Sequence, residues 1–263
     1  MRLSERIALI TGGSKGIGRA IALAYAREGA DIAICARGER DLVAVADEVT
    51  KLGRRCWFRL CDVTLKKDAL ATVESALGHF GKIDILVNNA GGGAVPDYRS
   101  FLEMDDECWF ANINVHLNAV WYFTKAVLAH MVERHEGRII NIASVGGLMG
   151  MPRLGAYATA KHGVIGFTRT LALEAGRYGI TCNAICPGAT RSGWTISPTG
   201  IGKLAEKAGI SIAAFTERSV SGSALRRLIE PEEIAEMAVY LASDVGRSIT
   251  GQSIAICGGL SMH

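Results

Sequence analysis

The sequence predicts an α/β fold built on one parallel sheet with helices on both faces. Three observations lead there. Short apolar runs at residues 7–10, 32–36, 57–61 and 83–87 alternate with helical patterns, the alternation that builds βαβ units. The first run opens into the glycine-rich turn T-G-G-S-K-G-I-G at residues 11–18 and then into a helix. Lastly, the glycine turn, Asp62, the 88–91 segment and Ser144 all fall at the carboxyl ends of expected strands, where such sheets bind ligands.

Composition agrees. The 263 residues are 49% hydrophobic and 21% charged, enough apolar material for a sizeable core. A net charge of +3 without a basic stripe gives no footprint for nucleic acid. No apolar run approaches the roughly 18–20 residues that span a bilayer, and residues 1–5 lead into a strand without a signal-peptide core. The expectation is a soluble, cytoplasmic protein. The seven cysteines are scattered with no C-x-x-C, and the six histidines make no metal-ligand pairing, so neither a disulfide framework nor a protein-bound metal is expected.

Taken in order, residues 7–10 form the first strand, and Ile17, Ala20, Ile21, Ala24 and Tyr25 line one face of the helix after it. In the turn between them, Gly12 allows the tight bend, Gly16 close backbone approach, and Gly18 close helix–strand packing, so that the helix N-terminus faces a pyrophosphate. Residues 32–36 are the second strand, 41–52 a helix stopped by Gly53, 57–61 the third strand, and 69–80 a helix stopped by Gly81. Residues 83–87 run into Asn88-Asn89-Ala90-Gly91, and one long helix follows over 105–134, carrying Asn114. Residues 138–143 form the fifth strand, a helix runs from about 157 to 176, and residues 180–186 form the sixth strand. Residues 189–229 contain no strand and read as a lid with short helices near 201–208 and 212–219. Pro231 opens the last helix, and residues 253–257 are the last strand. Without linker or repeat, residues 1–263 read as one dinucleotide-binding and catalytic domain.

Tyr157 and Lys161 are four residues apart, one turn of helix and one face, and Ser144 ends the strand before them. A hydroxyl, a phenol and an ammonium therefore converge beside one carbonyl. A ketone accepting hydride needs a proton donor, and an isolated tyrosine, with a pKa near 10, is a poor match to neutral pH. A neighbouring ammonium and an oxidised nicotinamide favour phenolate. Tyr157 is then general acid for reduction and general base for oxidation, while Ser144 holds the substrate oxygen.

Together T-G-G-S-K-G-I-G at 11–18, C-D-V at 61–63, N-N-A-G at 88–91, Asn114, Ser144, Y-A-T-A-K at 157–161 and P-G at 187–188 make the chain resemble the short-chain dehydrogenase/reductase family along essentially its whole length. The resemblance implies a Rossmann-type doubly wound sheet of about seven strands and a nicotinamide cofactor. It implies a catalytic tetrad of Asn114, Ser144, Tyr157 and Lys161, with Lys161 also on the cofactor ribose and Asn114 supporting a water that links Lys161 to solvent. The cofactor contacts it implies are Gly12, Ser14, Lys15, Gly16, Ile17, Gly18, Arg37, Asp62, Val63, Asn89, Ala90, Gly91, Tyr157, Lys161, Pro187 and Gly188. Thr190 and Ser192 complete that set; members often carry threonine where this chain has Ser192, and either hydroxyl can serve the carboxamide. The family pairs helices across a twofold axis, and the apolar surplus at Val115, Val120, Trp121, Phe123, Phe167 and Leu171 gives the expectation of a homotetramer.

The second strand ends Cys35-Ala36-Arg37-Gly38, with no acid to bind the ribose hydroxyls of NAD. Arg37 offers a planar fork for a 2′-phosphate, and Lys15 reaches it from the other side, so NADP is expected, with NAD the alternative. The ending I-C-G-G-L at 256–260 resembles polyketide and acyl-thioester ketoreductases. The expected reaction joins a ketone, with a 3-oxoacyl group among the candidates, and its secondary alcohol. An NAD-dependent alcohol dehydrogenase is one alternative; a nucleotide sensor without turnover is another, which intact Tyr157 and Lys161 disfavour. Leu148, Met149, Met151, Leu154 and Trp194 point to an apolar pocket, and Arg153 or Arg191 to a phosphopantetheine or carboxylate.

Overall fold

The apolar runs become seven parallel strands: β1 (Ile7–Thr11), β2 (Asp31–Ala36), β3 (Cys56–Leu60), β4 (Ile85–Asn88), β5 (Gly137–Ile142), β6 (Ile180–Pro187) and β7 (Ser253–Ile256). They form one sheet in the order β3-β2-β1-β4-β5-β6-β7. The computed structural model describes residues 1–91, 98–192 and 200–262. Strand order reverses between β1 and β4, which are hydrogen-bonded neighbours, and the crevice at their carboxyl ends is where a ligand fits such a sheet.

Alternation of side chains along each strand sorts the core into two layers. Ile32 and Ile34 of β2 and Ile85 and Val87 of β4 meet α1 (Gly16–Arg27) and α2 (Glu39–Lys51). Ala33, Cys35 and Leu86 face the other way, against α3 (Lys66–Phe80). Two further segments follow, α4 (Asp106–Ile113) and α5 (Ala119–Arg134), then α6 (Gly155–Ala175), α7 (Ile201–Lys207), α8 (Ile212–Ser221) and α9 (Pro231–Ala242). The α9 helix closes the first layer: the buried Tyr25 hydroxyl of α1 donates to the Ala238 carbonyl at 3.0 Å. Glu230 and Glu233 form a reciprocal capping box at the start of α9, with Pro231 in its first turn. Below the sheet, Asp84 accepts from the Ile7 N–H at 2.8 Å and pairs with Lys82 and Arg134. These partners hold its carboxyl below the usual range against the opposing effect of burial, and they pin β1 to the start of β4.

Two expectations change. The single helix over 105–134 is interrupted by a π-helical turn at Asn114–Asn118; the Ala119 N–H reaches back five residues to the Asn114 carbonyl. Insertions of this kind recur at functional sites. In addition, Val115, Val120, Phe123 and Leu171 are consumed by the chain's own core. What remains outside between α5 and α6 is a cleft lined by Trp121, Leu128 and Phe167, with Trp121 46% exposed. The two short helices of the 189–229 stretch, α7 and α8, stand where expected. Thr190 and Ile229, near the two ends of that stretch, are joined by a bridge. Gly193 and Trp194 lie outside the described residues. No helix of the described residues is long and apolar enough to cross a membrane.

Candidate active site

The glycine turn fits a pyrophosphate on observations of its own. Gly12 and Gly16 have φ of 64° and 53°, a left-handed backbone that glycine adopts at little cost. A Cβ on Gly18 would stand 2.3 Å from the Gly12 carbonyl oxygen and 2.4 Å from Asn89 Nδ2, so no larger residue fits there. Lys15 caps α1 without a side-chain hydrogen bond, which leaves the first N–H groups of the helix directed at the loop.

Asn89 ties this loop to the next. Its Nδ2 donates to the carbonyls of Thr11 and Gly12 at 2.9 and 3.1 Å, and the N–H groups of Asn89 and Ala90 donate to Thr11 Oγ1 at 3.0 and 3.1 Å. The Asn89 side chain is therefore a staple between β1 and β4 rather than a free ligand. Asp62 accepts from the N–H and hydroxyl of Thr64, and these bonds, with the Arg37 charge nearby, hold its carboxyl below the usual range. Val63 is buried beside it. Arg37 is exposed, and Lys15 Nζ sits 2.7 Å from Asp41, so both cations stand at the end of β2, where a 2′-phosphate would lie. Ser14 and Ile17 are half-buried in the glycine turn. Of the two candidate hydroxyls, Thr190 is buried and donates to the Gly188 carbonyl at 3.0 Å. Ser192 leans over the glycine turn, its Cβ 3.3 Å from where a Cβ on Gly16 would be. Gly188, after Pro187, packs against Cys257, where a Cβ would lie 2.9 Å from Cα.

The Ser144, Tyr157 and Lys161 side chains lie one strand further. Ser144 leaves β5 and accepts from the Gly146 N–H at 3.0 Å. It also hydrogen-bonds the Tyr157 phenol, which pulls that phenol's pKa down, but desolvation is larger and the net effect is upward. Lys161, one turn along α6, is 5% exposed. Its Nζ stands 5.8 Å from the centre of the Tyr157 ring and donates to the Ile142 carbonyl at 2.8 Å. Burial lowers the ammonium to about 8. Lys161, whose ammonium is bonded to β5, does not by itself bring the phenol below its ordinary range, because burial outweighs the lowering hydrogen bond. Asn114 accepts from Asn118 Nδ2 at 2.7 Å within the π turn.

One residue the sequence reading missed is His116, in the π turn. It is 4% exposed, and its ring meets that of Tyr157 edge-on at 5.0 Å. Burial, then the Lys161 charge, holds it well below the ordinary histidine pKa, so it is a neutral wall behind the phenol. A Cβ on Gly91 would lie 3.1 Å from the imidazole, which gives that glycine a packing reason. Its apolar neighbours Val115 and Leu117 gave no chemical signal. Among the described residues no group of three His, Cys, Asp or Glu side chains is placed to hold a metal.

A family model for short chain dehydrogenase matches residues 6–198. The chain is 36% identical over 260 residues to a 3-oxoacyl-acyl-carrier-protein reductase of Thermotoga maritima, covering 99% of each. It is 37% identical over 263 residues to the hydroxy(phenyl)methylsuccinyl-CoA dehydrogenase subunit BbsD of Thauera aromatica, covering 100% of this chain and 99% of the relative. A crystal structure of actinorhodin polyketide ketoreductase with NADPH superposes with a TM-score of 0.91 at 35% identity, covering 100% of this chain and 99% of that one.

Proposed function

We infer the reaction from one premise: the chain belongs to the short chain dehydrogenase family and is an NAD(P)-dependent oxidoreductase. We propose that it uses NADPH to reduce a ketone to a secondary alcohol, with a 3-oxoacyl-type substrate. The observation that carries this is the convergence of the Tyr157 phenol, hydrogen-bonded to Ser144, with the buried Lys161 ammonium 5.8 Å from its ring.

The nicotinamide, when bound, supplies the hydride. The chain's part is to place and protonate. The amide groups of the glycine turn and the α1 N-terminus receive the pyrophosphate. Arg37 and Lys15 favour a 2′-phosphate at the end of β2, which carries no acid of its own; Asp41, paired with Lys15, would have to give up that cation. Ser144 Oγ holds the carbonyl oxygen as charge grows there, and Tyr157 delivers its proton to that oxygen. Lys161 then faces a phenolate, which its ammonium stabilises. Asn114 keeps the π turn in register behind this pair. An acyl-thioester substrate is supported by the ketoreductase relatives and by the half-buried Met151, which shares the surroundings of Gly146 with the Tyr157 ring.

The test is Tyr157→Phe, which keeps the ring and removes the proton. Turnover of a 3-oxoacyl thioester should fall by ~10²–10⁴-fold, with NADPH binding by fluorescence titration retained. Wild-type turnover in this variant would refute the mechanism.

A further inference from the structure

A cavity of about 350 Å³ lies between the loop before Tyr157 and the lid, lined by Tyr98, Pro152, Arg153, Lys207, Ala208 and Arg218. Three cationic side chains from two separate parts of the chain share this wall, and none of its described lining residues is a carboxylate. Among the described residues, two acids that feel these cations are engaged elsewhere. Glu103 accepts from the N–H and hydroxyl of Ser100 at 2.9 and 2.8 Å. Asp105 accepts from the Cys108 N–H and pairs with Arg99. Both feel the cations, since Arg153 contributes to lowering Glu103 and Lys207 to lowering Asp105, but neither lines the cavity.

Arg153 is held there by its backbone. Its φ is 66°, a conformation unfavourable for a side chain of this size, and such strain persists only where surroundings enforce it. Here the Arg99 N–H donates to the Arg153 carbonyl at 3.0 Å, and Arg99 and Leu154 form a bridge. The guanidinium lies 5.7 Å from the centre of the Tyr98 ring, and Tyr98 meets Phe215 of α8 edge-on at 5.9 Å. One aromatic thus links the strained arginine to the helix that carries Arg218. Arg153 is four residues before Tyr157, and Leu154 between them is the cap of α6, so the cavity wall runs directly into the helix that carries Tyr157 and Lys161.

We propose that this cleft binds the anionic end of the ketone substrate, a phosphate or carboxylate distant from the reacting carbonyl, and so selects acyl substrates that carry one. The proposal rests on the ketone-reduction reading and names the substrate class for it. Two sources share the chemistry: the phosphates of a pantetheine thioester, and a carboxylate on the acyl chain itself. Arg191, the other arginine singled out in the sequence, pairs with Glu230 at 2.9 Å and is not in the lining.

The experiment compares wild type, Arg218→Gln and Arg218→Lys on three ketones: acetoacetyl-CoA, the uncharged acetoacetyl-N-acetylcysteamine thioester, and a 3-oxo-dicarboxylic acid monothioester of N-acetylcysteamine. Charge-assisted hydrogen bonds are strong enough that Arg218→Gln should reduce the kcat/KM preference for a charged ketone over the uncharged one about tenfold, mainly through KM. Arg218→Lys should keep most of it. Loss confined to the CoA substrate assigns the cleft to pantetheine phosphate, and loss confined to the dicarboxylic substrate assigns it to an acyl carboxylate. A preference unchanged by Arg218→Gln, or equal wild-type KM values for all three ketones, overturns the proposal. Isothermal titration with CoA, which has no ketone, separates the two levels: binding weakened about tenfold in Arg218→Gln supports the cleft even if no ketone is turned over, the outcome that would overturn the reductase reading alone.

Discussion

Replacing Lys161 by methionine should make the cofactor-free protein more stable while abolishing its chemistry. The ammonium is 5% exposed, and burial moves it from 10.5 to about 8. That displacement corresponds to about 3 kcal/mol of cost for the charged form. The hydrogen bond to the Ile142 carbonyl at 2.8 Å returns about 1 kcal/mol, so methionine, unbranched and of similar length, should gain about 2 kcal/mol at neutral pH. The sign follows from proton counting. Below pH 8 the lysine is charged in both folded and unfolded chains, and the full cost stands. Between about 8 and 10.5 the unfolded chain binds more protons, so wild-type stability rises with pH. Above that range neither form is charged and the cost vanishes. Urea denaturation of both proteins at pH 7 and pH 10, at matched concentration and without cofactor, reads this directly. The advantage of Lys161→Met should be largest at pH 7 and shrink by pH 10. A variant no more stable than wild type at pH 7, with a pH-independent difference, would refute the reasoning.

Three further outcomes are expected. Ala36→Asp places a carboxylate at the end of β2 beside Arg37, and should turn an NADPH preference of about tenfold into one for NADH, measured as paired dissociation constants at one ionic strength; tighter NADH binding by wild type would overturn the NADP assignment. Gly18→Ala forces a methyl to within 2.3 Å of the Gly12 carbonyl; about 1–3 kcal/mol of stability should be lost, and cofactor affinity with it, and a variant that binds NADPH normally would show that the turn is not the pyrophosphate site. Trp121→Glu puts a charge in the cleft shared with Leu128 and Phe167; if that face joins copies in a homotetramer, light scattering should show a smaller species than wild type, and an unchanged mass would remove this cleft from the interface.

The parts of the molecule legible in the sequence are those whose signal is local. A glycine turn between strand and helix, a tyrosine and lysine one turn apart, and a serine at a strand end are set by spacings of a few residues, and the structure brings Ser144, Tyr157 and Lys161 together as those spacings require. The π turn at Asn114 was not legible, because an N–H reaching back five residues leaves no mark on an apolar pattern with a period of 3.6. Nor was the fate of Val115, Val120, Phe123 and Leu171. Whether an apolar residue on a helix faces its own sheet or another copy depends on the neighbouring layers, and here the sheet took them.

The state of the proton is the deepest thing the sequence withheld. The residues name the pair but not its balance, since a lysine four residues from a tyrosine favours phenolate only where it points its charge at the phenol. The Lys161 ammonium is bonded to β5, burial holds His116 neutral, and desolvation raises the Tyr157 phenol. On the proposed reduction, Tyr157 would therefore hold the proton that the substrate oxygen takes up. The buried ammonium lowers stability, and in that proposal it gains a partner when the phenol gives its proton up. In that proposal the cost of burying the ammonium and the stabilisation of the developing phenolate come from the same charge, which is why one substitution, Lys161→Met, should raise stability and remove activity together.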